Sequence, residues 1–140
     1  MPLVGTRSDQ QQAVYTAEET VSRGKQFATL EDAQAFVDSL TAADWWSENY
    51  PDIQRIDVVK QRENSPCVGT VNGRVGKIGI NTYGLCERII LHEVAHTVEP
   101  RAGHNGPWVR AFINLMNRVC GSERYLELWT AFSEAGIDLG

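Results

Sequence analysis

The segment His92-Glu93-Val94-Ala95-His96 constrains this chain more than any other. Four residues span about one turn of an α-helix, so two imidazoles at i and i+4 point the same way, offset by roughly 40°. Such a pair can grip one metal ion, and the order H-E-x-x-H is the pattern of zinc-dependent hydrolysis. Glu93 lies on the adjoining flank, where a carboxylate reaches a metal-bound water rather than the metal. The segment has to be helical for this chemistry, and its other faces have to be buried. Numbered from His92 at about 100° per residue, Ile90, Leu91, Val94, Ala95 and Val98 gather on the back, and His92 and His96 share the front. A helix is predicted from about 85 to 99, stopped by Pro100, which lacks the N–H a further turn needs.

Catalytic zinc takes three protein ligands and leaves a fourth position to water, so one ligand is missing from the motif. His104, eight positions beyond His96, follows a turn made by Arg101-Ala102-Gly103 and is the preferred third ligand. All three histidines of the chain fall between positions 92 and 104. Glu123 or Glu127, from a later helix, would serve in its place, as would Glu99. The last is disfavoured because three ligands from one helix converge poorly on a tetrahedral ion. The expected chemistry is hydrolysis by zinc-activated water, with Glu93 as general base and one Zn2+ as cofactor. Tyr83, Arg88, Arg101 and Tyr125 are all candidates for stabilising a developing oxyanion. Cys86, at the start of the helix, reads as a buried structural cysteine.

The rest of the chain has to supply one core for this helix. A chain of 140 residues suits a single domain, 1–140, and 42% hydrophobic residues are ordinary for a globular protein. Three cysteines without a CxxC suggest neither a disulfide framework nor a thiolate zinc site, and the odd count fits a reducing compartment. No apolar run approaches the ~18 residues of a membrane span and no signal-peptide core is present, so a cytoplasmic protein without membrane contact is expected. A net charge of −5 argues against nucleic acid as a partner on its own account. A peptide or protein substrate is the expected partner. The oligomeric state is not legible.

The pattern before the motif is helical, then extended. Ser8 is placed to cap a helix running to about Arg23, with Val14, Ala17 and Val21 at helical spacing. Thr29 and Asp32 form a capping-box pattern ahead of Ala33, Phe36, Val37 and Leu40. Thr41 and Asp44 repeat that pattern before Trp45 and Trp46, which cannot both face inward. Ile53 to Val59 then read as a strand, and Val68 to Val71 with Val75 to Ile80 as a hairpin about Asn72-Gly73, a pair suited to a type I′ turn. Gly76 and Gly79 suggest a bulge or close approach of another backbone, and a strand just before the motif helix suits an extended peptide by edge pairing, with an ordinary glycine-rich strand as the alternative. After the motif, Gly106-Pro107 opens a helix whose inner face is Trp108, Ala111, Phe112, Leu115 and Val119. Gly121 ends it, and Ser122 caps a last helix with Tyr125, Leu128, Trp129 and Phe132 inward. The fold class expected is α+β: a small mixed or antiparallel sheet with a β-hairpin, packed on helices around a central H-E-x-x-H helix.

His92-Glu93-x-x-His96 followed by Gly103-His104-Asn105-Gly106-Pro107-Trp108 resembles the SprT-like zincins, whose third ligand sits in a Gly-His-Gly-Pro-x-Phe segment. The stretches from Ser8 to Glu18 and from Thr29 to Val37 are similar to a narrower group of small H-E-x-x-H metallohydrolases of actinobacteria and their phages. The resemblance spans most of the chain, with Asn105 standing between His104 and Gly106-Pro107 as a departure. It implies a zincin-like fold, zinc held by His92, His96 and His104, and Glu93 as catalytic base. It supplies no substrate. The leading expectation is therefore a zinc-dependent hydrolase, a metallopeptidase in the first instance. The alternatives are a catalytically silent zinc-stabilised binding module and a protease associated with nucleic acid.

Overall fold

A computed structural model describes residues 10–140. It is a mixed α+β structure with six α-helices and one three-stranded sheet among the described residues. Two compact units are distinguished, one of residues 23–100 and one combining 10–22 with 101–140. Ser8, the expected cap of the first helix, lies outside the described residues.

The unit of residues 23–100 holds α2 (Leu30–Thr41), α3 (Asp44–Asn49), β1 (Arg55–Lys60), β2 (Val68–Asn72), β3 (Val75–Ile80) and α4 (Glu87–Val98). The Thr29 hydroxyl accepts the Asp32 N–H and opens α2, as its sequence suggests. Ala33, Val37 and Leu40 are its buried stripe. The second capping pattern fails: Thr41 ends α2, its hydroxyl donating to the Asp38 carbonyl, and Ala43 precedes α3 without a side-chain cap. Of the two adjacent tryptophans, Trp46 is buried with its indole N–H on the Ile53 carbonyl, while Trp45 is half-buried.

The strand order is β1-β3-β2, with β1 parallel and β2 antiparallel to β3. The first strand begins two residues later than Ile53 and runs on to Lys60. The hairpin forms as expected, Asn72 pairing with Val75 across Gly73-Arg74. Its turn type does not. Gly73 has φ +63°, and no non-glycine residue among those described has positive φ, so Arg74 cannot complete a type I′ turn. A positive φ at the first central position alone fits type II′. The outer edge of β1 is closed by a side chain: the Gln34 amide donates to the Ile56 carbonyl and accepts from the Val58 N–H. The outer edge of β2 has no strand beside it among the described residues. Because β3 is central, the strand leading to the motif helix has no edge to offer a peptide, contrary to the expectation of edge pairing placed on that strand.

The sheet packs on α4 through β2 and β3. The first N–H groups of α4 would be orphaned in a bare helix. They are taken by backbone: Glu87 N–H donates to the Lys25 carbonyl and Arg88 N–H to the Arg23 carbonyl. An isolated antiparallel bridge between Gln26 and Cys86 completes this seam, and Cys86 is fully buried, as a structural cysteine should be.

The other unit holds α1 (Gln11–Glu18), α5 (Gly106–Cys120) and α6 (Ser122–Glu134). The first helix ends well short of Arg23. Val14, Trp108, Phe112, Leu115, Leu128 and Phe132 are its core, with Trp108 and Phe112 rings 5.2 Å apart and Phe112 and Phe132 6.1 Å apart. Trp129, expected inward, is 43% exposed, and Leu128 and Phe132 carry the buried stripe instead. Gly121 is the cap of α6, so Ser122 is its first helical residue and not a capping side chain. No helix among the described residues is long and apolar enough to cross a membrane.

Candidate metal centre

Ile90, Leu91, Val94 and Ala95 are fully buried, so the apolar back of α4 is where its periodicity puts it. That burial fixes the rotation of the helix and aims the opposite face. On this face the His92 and His96 rings stand 5.1 Å apart at 64°. His92 is 4% exposed and Glu93 5%, with His96 half-buried. Carboxylates are rarely buried without a partner or a task.

The strand β2 reaches this turn because Gly69 has no side chain. A Cβ there would overlap the Glu93 carbonyl oxygen and lie 3.1 Å from His96 Cβ. Gly76 in β3 makes room for side chains instead: a Cβ there would sit 3.0 Å from Ile56 Cγ1 and 3.3 Å from Thr97 Cγ2. The close approach at Gly76 is thus to side chains and not, as anticipated, to another backbone. That at Gly69 went unread, although a lone glycine in Val68-Gly69-Thr70-Val71 carries the same signal.

His104 is 7% exposed and follows Gly103, whose φ of +56° suits glycine. Asn105 is the N-cap of α5, so the helix begins at Gly106 with Pro107 in its first turn. The His104 imidazole stands edge-on to Tyr15, 5.4 Å away, and to Trp108, 4.8 Å away. Tyr15 is 89 positions from His104 and carries no local signal of this contact.

The possible ligand atoms of His92, His96 and His104 all lie within 4.8 Å of one another. Among the described residues these three form the group of His, Cys, Asp and Glu side chains suited to a metal ion. Around a tetrahedral zinc, imidazole nitrogens stand roughly 3.4 Å apart, given Zn–N near 2.0–2.1 Å. The 4.8 Å limit is somewhat wider than this, and three imidazoles are a donor set that suits zinc. Glu99, Glu123 and Glu127 do not belong to the group. Glu123 is exposed, and Glu127 accepts from the Ser22 N–H at 3.1 Å and faces Arg124 at 3.4 Å.

No protein-family model matches the chain, and neither a curated protein nor a solved structure does.

Of the oxyanion candidates, Arg88 is 4% exposed and shares the stripe of His92 and His96, at i−4 from His92. Tyr83 is 55% exposed, with its ring under the Arg23 guanidinium and its carbonyl accepting from the same group. Arg101 is exposed and Tyr125 half-buried. Arg88 thus combines burial with the right helical face. Cys67 lies in the field of Glu93. Burial pushes its thiol pKa up, the Asn81 N–H on its sulfur opposes this, and the charges of Glu93, Cys86 and Glu63 add to the rise.

Proposed function

We propose that the chain is a zinc-dependent hydrolase, and in the first instance a metallopeptidase, organised as one zincin-like domain of the SprT-like kind. One observation carries this reading: three histidines grouped for a metal, with a buried glutamate next to one of them on the same helical turn. Three imidazoles are a ligand set of catalytic zinc, with a position left for water. Zinc, when bound, polarises a carbonyl and lowers the pKa of water towards ~7.

The remaining work falls to the protein's own groups. Glu93 accepts a proton from water as its oxygen forms a bond to the carbonyl carbon. It then delivers that proton to the leaving nitrogen as the C–N bond breaks. Among the described residues no strand lies beside the outer edge of β2, which is laid over this turn through Gly69, and such an edge favours an extended peptide as substrate, because it offers N–H and C=O groups in register. An odd count of three cysteines without a CxxC suits a reducing, cytoplasmic setting. The net charge of −5 gives no reason to invoke nucleic acid.

The test begins with elemental analysis of protein never exposed to chelator, where one zinc per chain is expected. Glu93→Gln should keep that zinc and lose hydrolysis of a diverse peptide library by at least about a hundredfold. Absence of stoichiometric metal sinks the reading. Unchanged turnover in the variant removes Glu93 from it, and zinc without any turnover in the parent protein favours the silent binding module.

A further inference from the structure

The proposed chemistry makes no use of Gln10, yet this side chain is heavily committed. Its amide nitrogen donates to the His104 carbonyl and to the Asp138 carbonyl, both at 3.1 Å. Its amide oxygen accepts the Asp138 N–H at 2.5 Å. A primary amide has two N–H donors, so both are spent on carbonyls. The exchange with Asp138 is the in-and-out pair that one strand residue makes with another. Gln10 therefore acts as a rung holding the chain near 138 on one side and His104 on the other.

The same region is fastened around His104 a second time. A Cβ on Gly106 would stand 2.6 Å from Gly140 Cα, the Arg110 guanidinium donates to the Gly140 carbonyl, and Gly140 N–H donates to the Asp138 carboxylate at 3.0 Å. The imidazole itself lies between the rings of Tyr15 and Trp108. Tyr15 stands on the helix that Gln10 caps. One helix thus brings a hydrogen bond to the backbone of His104 and an aromatic edge to its ring. On the other side is Gly103, whose backbone resists rotation least.

We infer that Gln10 is a positioning residue for the third metal ligand: by holding the His104 carbonyl it fixes the direction in which the imidazole leaves the backbone. This rests on the reading of His104 as a ligand. A ligand held in place before the metal arrives loses less freedom on binding, and groups that orient ligands typically contribute about 10- to 100-fold in metal affinity.

Zinc affinity of the full chain, measured by competition with a graded chelator, tests this, with the Co2+ visible spectrum reporting the ligand set and far-UV circular dichroism checking the fold. Gln10→Ala and the isosteric Gln10→Glu, which keeps an acceptor for Asp138 but loses both donors, should each weaken zinc by about 10- to 100-fold and dim the Co2+ bands. In a His104→Ala background, Gln10→Ala should change affinity no further, since the ligand it serves is gone. Wild-type affinity in a folded Gln10→Glu protein overturns the inference, even if its thermal stability falls. So does an undiminished effect of Gln10→Ala in the His104→Ala background. A wild-type chain that binds no zinc overturns the metal reading itself, and this inference with it.

Discussion

His104 and Glu123 compete for the third ligand position in the sequence, and their surroundings separate them. His104 is buried between two aromatic rings and grouped with His92 and His96, whereas Glu123 lies exposed near the start of α6. His104→Ala should weaken zinc binding more than about a hundredfold, since loss of an outer-shell partner alone costs up to that much. Glu123→Ala should leave it within about twofold, both by chelator competition. The reverse order would hand the position to the glutamate. Cys67 offers a different test. Its folded pKa is raised, chiefly by burial, so the folded chain holds the thiol proton longer than the unfolded chain does. That contribution to stability is complete below the unfolded thiol pKa and is lost as pH climbs through the folded one. Urea midpoints should therefore fall on the alkaline side, from about pH 8.5 upward, more in the parent protein than in Cys67→Ala. Parallel pH profiles would contradict this.

Between elements, the contact that matters most to the site is that of β2 on α4. It depends on the missing side chain of Gly69, with the Glu93 backbone directly beneath. Backbone cannot swing aside as a side-chain tip can. Gly69→Ala should destabilise the fold by about 1–3 kcal/mol through overpacking, and should weaken zinc binding by disturbing the turn of His92 to His96. Gly79→Ala is the comparison: its Cβ would meet the Gln61 amide oxygen at 2.6 Å, at the end of a flexible side chain, so its cost should be smaller. Denaturant unfolding of both variants decides, and equal costs would place the constraint elsewhere. The edges of the sheet are treated unequally as well. Gln34 closes β1, whereas among the described residues no strand lies beside the outer edge of β2. An uncovered edge is a hazard unless something uses it, which agrees with a peptide substrate.

For the whole molecule, a metal that binds only the folded chain adds stability by mass action. Zinc at a thousand times its dissociation constant contributes about 4 kcal/mol. At about 2–4 °C per kcal/mol for a chain near this size, stripping the metal with a chelator should lower the thermal midpoint by roughly 10 °C, and zinc should restore it. Glu93→Gln should show the same loss, because it keeps all three ligands, and His104→Ala should show little. A midpoint indifferent to chelator in the parent protein would mean that no metal supports the fold.

The sequence alone determined what depends on local period and local chemistry. The helix of His92 to His96 and its buried back follow from the spacing of Ile90, Leu91, Val94 and Ala95. The hairpin follows from Asn72-Gly73 between two apolar runs, and the break after His96 from Pro100 and Gly103. His104 was within reach because it lies eight positions from His96. What the tertiary structure decided came from residues far apart in the chain. The position of β3 between two strands removed the edge expected of the strand before the motif helix. Arg74, with φ below zero, changed the turn type. Trp129 turned outward because Leu128 and Phe132 already fill the inner face of α6. Tyr15 and Gln10 meet His104 across 89 and 94 positions, and Gln34 closes β1 across more than twenty. No period or motif encodes such pairs, since they depend on how elements pack once their apolar faces are buried.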